Sequence, residues 1–97
     1  MEYADDQFEW DEEKAVSSLE RHGVSFDEAK EVFADPGAVP EYDPDHSTTE
    51  ERRYAIIGLS SRRLLFVVYT ERDAVTRIIH ARKASKAMKE IYEDEST

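Results

Sequence analysis

Two apolar runs in the second half of the chain, Tyr54 to Leu59 and Leu64 to Tyr69, are separated by Ser60, Ser61, Arg62 and Arg63, a spacing that predicts a β-hairpin. The second run shows no alternation, as expected of a strand covered on both faces, so it belongs in the middle of a sheet. Thr76 to Arg82 reads as a third strand after a turn near Asp73. Its alternation puts Ile78, His80 and Arg82 on one face and Arg77, Ile79 and Ala81 on the other. Earlier, Phe8 to Trp10 is long enough only for a small strand, and Asp11 caps a helix that runs to about Arg21, with Glu12 and Glu13 at its positive end and His22 and Gly23 terminating it. Ser25 and Glu28 have capping-box spacing, with Val24 and Ala29 as a hydrophobic staple, so a second helix follows with Phe26, Ala29, Val32 and Phe33 inward. Asp35, Pro36 and Gly37 stop it.

From Ala38 to Glu50 the chain is polar, with one short strand near Val39 to Tyr42. Ala84, Ala87, Met88, Ile91 and Tyr92 then recur at helical spacing among Lys83, Lys86, Lys89 and Glu90, an amphipathic helix. The order is short strand, two helices, a three- to four-stranded antiparallel sheet and a C-terminal helix: a small α+β domain. No linker, repeat or low-complexity tract divides the 97 residues, so residues 1–97 are taken as one domain.

Composition narrows the chemistry. With 39% apolar residues the chain can bury a core in spite of 37% charged ones, and the lack of Cys excludes disulfides, thiolate metal sites and thiol catalysis. No apolar run approaches the length of a membrane helix and the first residues are acidic, so a cytoplasmic protein with no membrane partner is expected. The net charge of -10 is polarised: residues 1–51 hold 3 basic and 17 acidic side chains (-14), residues 52–89 hold 10 and 2 (+8), and four acids follow (-4). This polarity means either a basic face for an anion or two halves that attract each other.

No nucleophile elbow and no phosphate-binding Gly loop is present. His22, His46 and His80 have no metal-binding partner at helical spacing, and Asp43, Asp45 and Glu50 lack the spacing of a calcium loop, so neither a metal nor a cofactor is expected. What remains is Arg and His. Arg82 shares a strand face with His80, Arg53 stands at the start of another strand, and Arg21 and His22 close the first helix. Cleaving RNA without metal needs a proton acceptor for the 2′-hydroxyl, cations for the charged phosphorane and a proton donor to the leaving oxygen, and these residue types can fill the roles. Each also has a structural reading: His22 as helix terminator, His80 as a half-buried strand residue, Arg52 and Arg53 as partners of nearby acids, Trp10 as core.

The segments Phe8-Glu9-Trp10-Asp11, Lys14, Arg21-His22-Gly23-Val24-Ser25-Phe26, Asp35-Pro36, His46-Ser47, Arg53-Tyr54 and Arg77-Ile78-Ile79-His80-Ala81-Arg82-Lys83-Ala84 resemble, in order, the BrnT family of type II toxins. The resemblance implies a RelE-like fold and a metal-independent endoribonuclease that inhibits translation. It implies a BrnA-type antitoxin as partner, operator DNA bound only through the antitoxin complex, and a toxin homodimer within a heterotetramer. Carried over by position, the polar set falls on Trp10, Lys14, Arg21, His22, Arg53, Arg77, His80 and Arg82. Arg53, Arg77, His80, Arg82, Arg21 and His22 are then expected in catalysis, and Trp10, Lys14 and Lys83 in RNA binding. The chain departs from the family pattern at Ser18, where Asn is usual, and at Met88, where Glu is usual. The alternative is a toxin-fold binding module that acts with its antitoxin in transcriptional autoregulation.

Overall fold

The computed structural model describes residues 1–43 and 47–96. Its elements follow from local chemistry. The Asp11 carboxylate accepts the Glu13 amide at 2.8 Å and starts α1 (Glu12–His22). Gly23, at φ 68°, ends it by donating its N–H to Leu19 O, a left-handed cap that favours glycine. Ser25 Oγ likewise accepts the Glu28 amide at 3.0 Å and starts α2 (Phe26–Lys30). The second half of the expected box is absent, because the Glu28 carboxylate turns away from its own helix. The helix itself is shorter than its periodicity suggests and tightens into a 3₁₀ turn, Glu31–Ala34, which still carries Val32 inward.

The strands are β1 (Glu2–Ala4), β2 (Phe8–Asp11), β3 (Val39–Asp43), β4 (Arg53–Leu59), β5 (Leu64–Arg72) and β6 (Val75–Lys83), and α3 (Lys86–Ser96) closes the chain. They form one mixed sheet in the order β1-β2-β6-β5-β4-β3, with β5 central as its unbroken apolar run demands. The expected three- to four-stranded antiparallel sheet is thus corrected to six strands, with β2 and β6 parallel through Phe8–Thr76 and Glu9–Arg77. The strand missed at the N-terminus, β1, is acidic and short. It forms because the Asp5 carboxylate accepts the Gln7 and Phe8 amides to make the turn, and because Tyr3 stacks on Trp10 at 4.1 Å.

One sheet face is the core. Ile56, Leu65, Val67, Tyr69, Ile78 and Ala81 pack there against Trp10, Val24, Phe26, Ala29 and Val32. Gly58 admits the 3₁₀ turn so closely that a Cβ would lie 2.7 Å from Val32 Cγ1. A bulge between Val68 and Tyr69 sets the faces of β6: Val68 opposes His80, Tyr69 opposes Ile78, and Ile79 is the extra residue. Simple alternation along β6 is therefore corrected. Ile78 joins Ala81 in the core, while His80 and Arg82 turn to the other face with Phe66 and Val68. α3 is also less buried than its pattern suggests: Ala87 and Ile91 are exposed and Met88 half-buried. A hydrogen bond from Tyr92 OH to Asp35 Oδ2, at 2.8 Å, ties this helix to the turn before β3.

The Glu28 carboxylate, 8% exposed, accepts Arg63 Nη2 at 2.7 Å, Arg63 Nε at 3.0 Å and Ser60 Oγ at 2.8 Å, and Arg63 Nη2 also donates to Gly23 O. The β4–β5 turn is thereby bolted to the α1–α2 junction. Glu28→Gln should lower stability by about 2 kcal/mol at neutral pH, less than for a fully buried pair because Arg63 keeps some water. The Arg63 hydrogen bonds hold the Glu28 carboxyl below its ordinary value, so its contribution is complete above the unfolded-chain value and is lost as pH falls through the lowered folded one. Urea unfolding followed below about pH 5 should show wild type losing more stability than the variant. Superimposable acid limbs would count against this role.

Candidate active site

α1 runs beside the part of β6 that β2 does not pair. Ser18, buried on α1, places Oγ 2.8 Å from Ala81 O and 3.2 Å from Val24 O, and its single proton goes to the nearer. That bond fixes the distance between helix and strand. Along the gap α1 contributes Lys14, Ser17, Ser18, Arg21 and His22, β4 contributes Arg53, β5 Phe66 and Val68, and β6 Ile79, His80 and Arg82, around a cleft of about 440 Å³.

The cleft has a directed chemistry. His22 and His80 meet edge to face, ring centroids 5.0 Å apart. The Arg82 guanidinium lies over the Phe66 ring, 4.9 Å from its centroid, which orients a cation without neutralising it. Four permanent cations and two imidazoles line the space, and among the described residues no carboxylate does. Such a wall favours a polyanion and, among the described residues, offers no carboxylate to a hard divalent cation.

Of the residues singled out from the sequence, Arg21, His22, Arg53, His80, Arg82 and Lys14 all come together here. Arg77 does not: its guanidinium donates to Glu9 and to Glu2, and it ties β1, β2 and β6 together. Trp10 is in the core, 4% exposed, with Tyr3 stacked on it and Phe26 edge-on. Lys83 is exposed at the end of β6 and does not line the cleft. Asp45 and His46 lie outside the described residues. The lining residues that sequence reasoning passed over are Ser17, Phe66, Val68 and Ile79, which look like ordinary helix-surface or strand positions until the bulge and the seating of α1 are known.

The charge polarity of the chain resolves in both of the ways open to it. Arg62, Arg63, Arg72 and Arg77 turn to acids of the first half, Glu28, Glu9 and Glu2. Arg82 instead meets Lys14 and Arg21, the cations of the acidic half, in the cleft, and Arg53 joins them there while its Nε donates to Glu51.

A small α+β protein whose cleft is lined by cations, with no carboxylate among the described lining residues, presents a surface suited to a polyanion. The chain matches, over residues 10–87, the family described as the ribonuclease toxin BrnT of type II toxin-antitoxin systems, and it belongs to that family. No curated protein matches the chain. No helix among the described residues is long and apolar enough to cross a membrane.

The two classes of Arg should separate on mutation. Arg77→Ala leaves Glu2 without its partner and Glu9 with Arg72 alone, and should cost about 1–2 kcal/mol. Arg82→Ala removes a charge from a like-charged wall and should leave stability within roughly 0.5 kcal/mol of wild type. Equal losses in denaturant unfolding would show that Arg82 is structural too.

Proposed function

We propose that the chain is a metal-independent endoribonuclease whose cleavage of RNA inhibits translation, and that the cleft beside α1 is its active site. The observation that carries this reading is the meeting of two imidazoles and four cations at one place, with no carboxylate lining it among the described residues. The same reading takes the fold as a variant of the RelE-like plan; the order of helices, antiparallel strands and closing helix supports it.

In the proposed reaction the 2′-hydroxyl oxygen attacks the adjacent phosphorus and its proton passes to a neutral imidazole. The bond from phosphorus to the 5′ oxygen breaks, and that oxygen takes a proton from the second, charged imidazole. The products are a 2′,3′-cyclic phosphate and a 5′-hydroxyl, with no water consumed. His22 and His80 serve as the proton-transfer pair. Arg82 and Arg53 donate to the non-bridging oxygens as charge builds there, while Lys14 and Arg21, exposed at the rim, hold neighbouring phosphates.

Arg82→Ala and Arg53→Ala should each lower RNA cleavage by about 10²-fold or more with the fold intact. Cleavage should persist with a chelator and follow a bell-shaped pH profile, from which His22→Ala or His80→Ala removes a limb. A chelator-sensitive reaction, or full activity in both Arg variants, would move the chemistry elsewhere. A folded protein that binds RNA without cutting it would leave the binding-module reading.

Membership of a toxin–antitoxin family implies an antitoxin partner. We take this to be a BrnA-type protein that contacts the cationic cleft, inside a heterotetramer that meets operator DNA through the antitoxin. The contact should then weaken as salt rises, because exposed charges are screened over roughly 8 Å at physiological ionic strength. An affinity unchanged from low to high salt would place the antitoxin on another face.

A further inference from the structure

We propose that Glu51 is a positioning residue for Arg53, holding its guanidinium aimed into the cleft; the proposal rests on the ribonuclease reading above. Glu51 does not line the cleft. It lines a separate depression with Arg52, Tyr54 and Glu71, which Arg53 does not line. From there Glu51 Oε1 accepts Arg53 Nε at 2.9 Å. The bond engages the stem side of the guanidinium and leaves the Nη1–Nη2 edge as the one able to fork a phosphate.

The backbone of Glu51 is itself held by a small turn. Thr48 Oγ1 accepts the Glu51 amide at 3.0 Å and the Glu50 amide at 3.3 Å, and Thr48 N donates to Glu51 O at 2.8 Å. Ser47 Oγ accepts the Arg53 amide at 2.8 Å, so backbone and side chain of Arg53 are fixed from the same segment. The pair is too wet to matter much for folding: the side chains are 28% and 32% exposed, and ion pairs of that kind contribute at most about 1 kcal/mol. A negative charge behind a phosphate-binding Arg also opposes the ligand it serves. What the contact does supply is direction for a side chain with four rotatable bonds, and reaction rates fall steeply when a contacting group is misplaced by about 1 Å.

The test is a double-mutant cycle on the full chain, read by steady-state RNA cleavage and by affinity for an oligoribonucleotide blocked as its 2′-O-methyl ether. Glu51→Ala should lower kcat about tenfold with little change in KM or thermal midpoint. Glu51→Gln, which keeps the acceptor oxygen, should recover most of that loss. In an Arg53→Ala background Glu51→Ala should add no further loss. A loss of the same size in both backgrounds overturns the proposal, as does a Gln variant no better than Ala. If wild type cleaves no RNA, it is the ribonuclease reading that fails. Glu51 is then judged on the blocked oligomer, which Glu51→Ala and Arg53→Ala should both bind more weakly, and affinity equal to wild type in Glu51→Ala overturns it.

Discussion

The Glu28 carboxylate is the constraint on which the arrangement of this protein depends. It sits in the first turn of α2 and spends its hydrogen bonds on Arg63 and Ser60, in the turn of the central hairpin. Arg63 in turn holds Gly23 O, the point where α1 has just ended. One buried acid therefore joins the end of α1, the start of α2 and the tip of the β4–β5 hairpin. A buried carboxylate is tolerated only when its charge is matched and its oxygens are bonded, so these segments have essentially one way to come together. With the hairpin tip fixed at α2, Leu65 and Val67 share the core with Phe26 and Ala29, and α1 is left beside β6.

From that seating the cleft follows. The Ser18 hydroxyl holds α1 to the Ala81 carbonyl, and the β6 bulge aims His80 and Arg82 at the helix flank that carries Lys14, Arg21 and His22. Bringing like charges together costs energy, and the protein limits that cost by leaving the wall open to water and by resting Arg82 on an aromatic face. Arg62, Arg63, Arg72 and Arg77 are matched with acids, and Arg63 and Arg77 act as ties between the two halves of the chain. A net charge of -10 thus coexists with a cationic cleft because the acids are held elsewhere on the molecule.

The two departures from the family pattern have different consequences in the fold. Ser18 lies at the seam between α1 and β6, where its short hydroxyl lets helix and strand approach closely. Met88 does not line the cleft, and it is half-buried on a helix whose neighbouring apolar residues, Ala87 and Ile91, face solvent. Orientation of the cleft's cations comes from other groups, Phe66 under Arg82 and Glu51 behind Arg53.

Much of this was legible in the residues themselves. Caps act within a turn of chain, so Asp11, Gly23 and Ser25 mark the helix limits to within a residue, and the unbroken run from Leu64 marks the central strand. The candidate cations and imidazoles were also recognisable by type. Which of them act together was not, because that depends on contacts between residues distant in sequence. Arg77 and Arg82 look alike in a strand, yet one meets Glu2 and Glu9 across a parallel pairing while the other faces α1 across a cleft. A single inserted residue at Ile79 turned His80 and Arg82 away from Ile78, and no local pattern announces a bulge. Local chemistry determined the elements and the inventory of reactive groups. Only the tertiary structure, through the Glu28 anchor and the β6 register, decided which charges are neutralised and which are left to face a ligand.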